Sequence, residues 1–119
     1  MKIERLPGKA IGRSAGSAFG ELVFVATVAH DREAGLAAQS KDLLSRLEGQ
    51  LSELGSSKTA ILSAAVFLAD MQTKSEFDAI WIDWIGEDQS NWPQRVCVGA
   101  SLAGRTAVEV SVTAVRGKG

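Results

Sequence analysis

The sequence predicts an α+β fold, one mixed sheet with two helices laid on a single face. Three observations carry that expectation. Two stretches repeat apolar residues at spacings of mostly three and four, the leucines from Leu36 to Leu54 and the stripe from Phe77 to Ile85. These are separated and flanked by apolar runs of strand length, Leu22 to Ala29, Ile61 to Ala69, Trp92 to Leu102 and Thr106 to Val115. With 119 residues, 45% hydrophobic and 23% charged, residues 1–119 fit one domain around one core.

Taken in order, Lys2 to Leu6 reads as a short edge strand that Pro7-Gly8 breaks. The Gly/Ser/Ala-rich segment from Ala10 to Gly20 reads as a flexible connector; Gly12, Gly16 and Gly20 would also allow a loop that lines a pocket. It is no phosphate-binding loop, because no Gly-Lys-Ser/Thr follows. Leu22 to Ala29 is nearly continuous in apolar residues, the pattern of a strand buried on both faces. His30 to Glu33 turns the chain into the leucine helix, with Gln39, Lys41, Asp42, Arg46 and Glu48 largely off its stripe and Gly55 placed to stop it. Ile61 to Ala69 is the next strand. A second helix starts after Asp70, with Thr73 or Ser75 as N-cap, turns Phe77, Ile80, Trp81, Trp84 and Ile85 toward the sheet, and ends near Gly86. The final two runs read as neighbouring strands joined by a Gly-Arg turn, and Arg116 to Gly119 as a solvated tail. Both strand-helix-strand passages are crossovers, so the sheet is mixed and its helix-free face needs a cover; self-association is the economical answer.

Composition narrows the function. A net charge of −1 and a pI near 5.8 leave no broad basic surface for nucleic acid. No apolar run reaches the roughly 20 residues of a membrane span. The first residues show no apolar signal core, and one cysteine forms no internal disulfide, so the expectation is a cytoplasmic protein. One histidine and one cysteine exclude a histidine cluster or thiolate site for a metal. His30, in a turn, reads as solvated or capping. Cys97, between valines in a strand, reads as a small hydrophobe, and as a nucleophile it would need a lowered pKa for which only Arg95 is near.

Two charges stand out in the last strands. Arg95 follows Pro93 at the mouth of one, and Glu109 sits between valines in the other. An arginine fork suits bidentate capture of a carboxylate, and an enclosed glutamate can polarise a water or shuttle a proton. The alternative is a salt bridge between them or with a neighbour, or plain solvation.

Pro93-x-Arg95-x-Cys97-Val98 followed by Val108-Glu109-Val110 resembles the signature of the Rid (YjgF) family of imine/enamine deaminases. The resemblance extends to Ala10-Ile11-Gly12, to Ala38-Gln39 in the leucine helix, to Ser63 through Asp70, and to the second helix, where Ala79-Ile80-Trp81-Ile82-Asp83-Trp84 is similar to a divergent branch. It implies a chorismate-mutase-like (bacillus type) fold and a homotrimer whose open sheet faces pack together, with sites between subunits. It also implies cofactor-free hydrolysis of 2-aminoacrylate-like enamines and imines to 2-keto acids and ammonia. Arg95 then grips the substrate carboxylate, Glu109 is catalytic and holds the water, and Cys97 lines the site. Ser14 stands near the family's loop tyrosine, in a chain with no tyrosine, and Ala26 and Thr27 stand near its strand Ser-Gly. The alternatives are a non-catalytic trimer that binds small carboxylates and, against the charge balance, an endoribonuclease or translation inhibitor, labels that family members carry.

Overall fold

In the computed structural model, which describes residues 2–117, six strands form one sheet. They are β1 (Glu4–Leu6), β2 (Gly16–Phe19), β3 (Leu22–Thr27), β4 (Ile61–Leu68), β5 (Gln94–Gly99) and β6 (Val108–Val115). Helices α1 (Leu36–Glu53) and α2 (Lys74–Ile85) follow β3 and β4. The strand order is β1-β2-β3-β6-β4-β5, with only β4 and β5 parallel. The expected mixed sheet with both helices on one face is therefore present.

The leucine stripe makes most of the core. Leu43, Leu44, Leu47 and Leu51 are buried against Val23, Val25, Val66, Val110 and Val112, each contributing about 1.5–3 kcal/mol by its removal from water. Gly55, at φ +84°, closes α1 as expected: its N–H reaches the Ser52 carbonyl and the Ser56 N–H reaches that of Leu51, a Schellman end. On α2, Phe77, Trp81 and Ile85 are buried, and Gly86 at φ +87° ends the helix. Its start differs in detail: Asp70 caps a 3-10 turn over Met71–Thr73, Thr73 makes no side-chain cap, and Ser75 lies inside the helix.

Several expectations are corrected. The Gly/Ser/Ala segment is not all connector, since Gly16–Phe19 forms β2 between β1 and β3. There Gly16 is favoured by close approach, because an added Cβ would stand 2.9 Å from a Leu54 methyl and 3.1 Å from the Phe24 carbonyl, and both would have to give way. β3 is not buried on both faces: Val23, Val25 and Thr27 face the helices, while Leu22, Phe24 and Ala26 point outward. Both crossovers place their helices on the same side, so nothing among the described residues covers the other. The last two strands are not neighbours, because the link from Ala100 to Ala107 passes the end of β4 and leaves that strand between them. Arg116 is no solvated tail either: its Nε donates to the Gly20 carbonyl and its Nη2 to Glu4. Lys118 and Gly119 lie outside the described residues.

Gln39 is the other surprise. It is 1% exposed; its Nε2 lies 2.7–3.2 Å from the carbonyls of Arg32, Ala34 and Arg105, and its Oε1 accepts the Ala107 N–H. One amide thus ties the loop before α1 to the loop before β6. Replacing it leaves several polar backbone groups unpaired near the core. Gln39→Leu is expected to lower folding stability by about 2 kcal/mol, read as a fall in the urea midpoint at unchanged slope.

Candidate functional site

The pleat decides which site residues meet. Along β5, Arg95 and Cys97 alternate with the outward Val96 and Val98. Register pairs Arg95 with Ala64 and Cys97 with Val66 on β4, both buried under the helices. On β6, Val110 and Val112 oppose Val66 and Ala64, and Glu109 opposes Phe67. Arg95 and Cys97 therefore share the helix face, and Glu109 occupies the open face.

Arg95 lies under α2 at the sheet edge. Its side chain is 18% exposed, and its Nη2 donates to Asp78 Oδ1 at 2.6 Å. The guanidinium carbon stands 5.2 Å from the Trp81 ring centre and 5.7 Å from that of Phe77, distances at which aromatic faces attract a cation. The second Asp78 oxygen, Oδ2, accepts from Lys74 at 2.8 Å. Partial burial pushes the Asp78 carboxyl upward, but the hydrogen bonds from Lys74 and Arg95, with their charges, outweigh it and hold the group below the usual carboxylate range. Of the two readings open for Arg95, a salt bridge with a neighbour is present, and Arg95 and Glu109 do not pair. Burial raises the Cys97 thiol above its usual value, against the opposing pull of Arg95 and Lys74.

The open face carries a groove of about 290 Å³. Ser14 and Ala26, both expected at the site, line it together with Arg5, Ser17, Phe24 and Ser111. Ala26 opposes Ser111 across β3 and β6, and Glu109 follows on the same face two residues along. Thr27 does not reach the groove: it is 5% exposed on the helix face, with its hydroxyl on the Val28 carbonyl at 3.3 Å. His30 is largely exposed, its N–H and ring both on Asp42, as a capping residue would be. Among the described residues no group of His, Cys, Asp and Glu is placed to hold a metal.

Sequence reasoning missed Asp78, Lys74 and Arg5. The Lys74/Asp78 spacing of four was legible as a helix pair, but its link to Arg95 depends on the parallel register of β4 and β5. Arg5 enters the groove because it opposes Ser17 on the unforeseen β2.

Comparison with known proteins places this geometry in a family. The family model described as Endoribonuclease L-PSP matches residues 12–116. A RutC family protein of Haemophilus ducreyi is 30% identical over 92 residues, covering 76% of this chain and 77% of that protein. One of Haemophilus influenzae is 37% identical over 65 residues, so the chain spans about half of that relative's length, 54%. A YjgF-family crystal structure from Neisseria meningitidis superposes with a TM-score of 0.90 at 30% identity, over 100% of this chain and 98% of that one. One from Mycobacterium tuberculosis, at 20% identity and a TM-score of 0.85 over 96% and 99%, shares the fold. The chain belongs to the Endoribonuclease L-PSP (YjgF/RutC) family.

The raised Cys97 thiol gives a direct expectation. Less thiolate is present at any given pH than in an ordinary free cysteine, and the thiolate population rises only at higher pH. Alkylation by iodoacetamide at pH 8 is expected to run several-fold slower than for free cysteine, and its pH-rate profile to be displaced upward; a fast, low-pH reaction would make Cys97 a nucleophile.

Proposed function

We propose that this family member is a single Rid-type domain that assembles as a homotrimer and hydrolyses reactive 2-enamine and 2-imine carboxylic acids to 2-keto acids and ammonia at clefts between subunits. The observation that carries the reading is the division of the candidate residues across the sheet. Arg95 and Cys97 sit on the helix side of the edge strand β5, while Glu109, Ser14 and Ala26 belong to the open face. A small substrate that uses both sets needs the edge of one copy set against the open face of another. The open face supports such packing, since Phe24, Val96 and Val98 leave it apolar and exposed.

In this reading the substrate carboxylate takes N–H donors of Arg95, which fixes the neighbouring carbon. The enamine tautomerises to the imine. Glu109 accepts a proton from water as the water oxygen bonds to the imine carbon, and the proton passes to the nitrogen. Glu109 then moves the hydroxyl proton of the resulting carbinolamine to the amino nitrogen, the carbon–nitrogen bond breaks, ammonia leaves, and the carbonyl of the 2-keto acid forms. No cofactor enters. Cys97 acts as a wall, in keeping with its raised thiol, and Thr27 acts only by shaping the strand that carries Ala26. A net charge of −1 fits a small-molecule substrate better than RNA, whatever the family description names.

With 2-aminoacrylate generated enzymatically, the protein is expected to accelerate pyruvate formation. Arg95→Ala should lose about 100-fold in kcat/KM, the loss expected for a desolvated ion pair. Glu109→Gln should lose about 100-fold in kcat. Absence of acceleration in wild type, with 2-keto-acid binding that Arg95→Ala abolishes, would make the protein a carboxylate-binding trimer. A second measurement tests the assembly: the mass in solution is expected at three times the 12.6 kDa chain, and a monomer would remove the shared cleft.

A further inference from the structure

We propose that Asp78 is a positioning residue for Arg95, fixing the guanidinium before any ligand arrives and leaving its remaining N–H donors for a carboxylate. The inference rests on Arg95 being the carboxylate anchor. It follows from how the contacts on that guanidinium are distributed. Asp78 takes a hydrogen bond from Nη2 alone, through Oδ1, and among the described residues it is the guanidinium's only hydrogen-bond partner. A bidentate lock would occupy one whole edge of the fork with both carboxylate oxygens. Here Oδ2 is turned to Lys74 instead, so Asp78 holds one corner of the fork. The rings of Trp81 and Phe77 lie 5.2 and 5.7 Å from the guanidinium carbon and hold the planar group from the side. A long side chain with many rotamers is thereby ordered in advance, which favours ligand capture because less freedom is lost on binding.

Charge supports the same assignment. Two cations, Lys74 and Arg95, share one carboxylate, so the trio carries one net positive charge. A single ligand carboxylate would neutralise it. Were Asp78 a plug in the anchor's place, its second oxygen would be expected on Arg95, not on a lysine one helical turn away.

The test is calorimetric titration of the assembled protein with 2-oxobutanoate, with a thermal melt recorded for every variant. Arg95→Ala is expected to abolish binding. Asp78→Ala should weaken it roughly tenfold, as loss of an orienting second partner does elsewhere. Asp78→Asn should bind at least as tightly as wild type, because its amide oxygen still accepts the Arg95 N–H while one negative charge is gone. Should the alanine variant not fold, Asp78→Ser, too short to span the same gap, is expected to show the same weakening. Undiminished or tighter binding in the Ala or Ser variant, with Arg95→Ala still inactive in binding, would overturn the positioning role alone and make Asp78 a competitor or a purely structural partner. An Asn variant as weak as Ala would overturn it too, since charge and not the acceptor would then matter. Normal binding by Arg95→Ala would overturn the anchor itself, and the positioning role with it.

Discussion

The alternation of side chains across a single sheet is the constraint on which the rest of this molecule depends. β6 lies between β3 and β4 without a register break from Ala64 to Leu68, so each residue's parity fixes its face. Every second residue of β6 is spent on the helix-covered core, through Val108, Val110, Val112 and Ala114. Glu109, Ser111 and Thr113 are thereby committed to the other face. On β5 the same rule turns Arg95 and Cys97 inward under α2 and sends Val96 and Val98 outward. A one-residue slip of β5 would exchange these two pairs, placing an arginine on the open face and valines beneath the helix.

What holds that register is partly polar. The Gln39 amide joins Arg32, Ala34, Arg105 and Ala107, so the loop that delivers β6, and with it Glu109, is tied to the first turns of α1. At the opposite end of β6, Arg116 binds the Gly20 carbonyl and Glu4, which fastens the short edge strand β1 and keeps Arg5 over the groove. The two ends of one strand are thus pinned by one buried amide and one arginine. Hydrophobic burial alone is nondirectional; these hydrogen bonds supply direction.

Much of the fold was legible because its signals are periodic and local. The leucines of α1, the Phe77 to Ile85 stripe and the stops at Gly55 and Gly86 each report their own element. β2 was not legible, because Gly16-Ser17-Ala18-Phe19 has the composition of a loop and becomes a strand through pairing with β1 and β3. Nor was the separation of β5 from β6, which depends on where β4 lies and not on the residues of either strand. The candidate site divides the same way. Arg95 and Glu109 were conspicuous as charges among valines. Their placement on opposite faces, and the capture of Arg95 by Asp78, required the parallel pairing of Ala64 with Arg95 that brings β5 beneath α2.

The opposition of the two faces also explains why an arginine can remain under a helix. A buried cation is costly unless it is paired, and Asp78 together with the Trp81 and Phe77 rings meets that need within the protomer. Glu109 is half-buried on the open face, opposite Phe67 and two residues from Ser111. The fold therefore keeps the arginine in a fixed, paired setting under a helix and the glutamate on the opposite face of the sheet. Under the proposed reaction, which holds a carboxylate still while a water attacks the adjacent carbon, that separation requires a second copy to bring its open face to the edge where Arg95 lies.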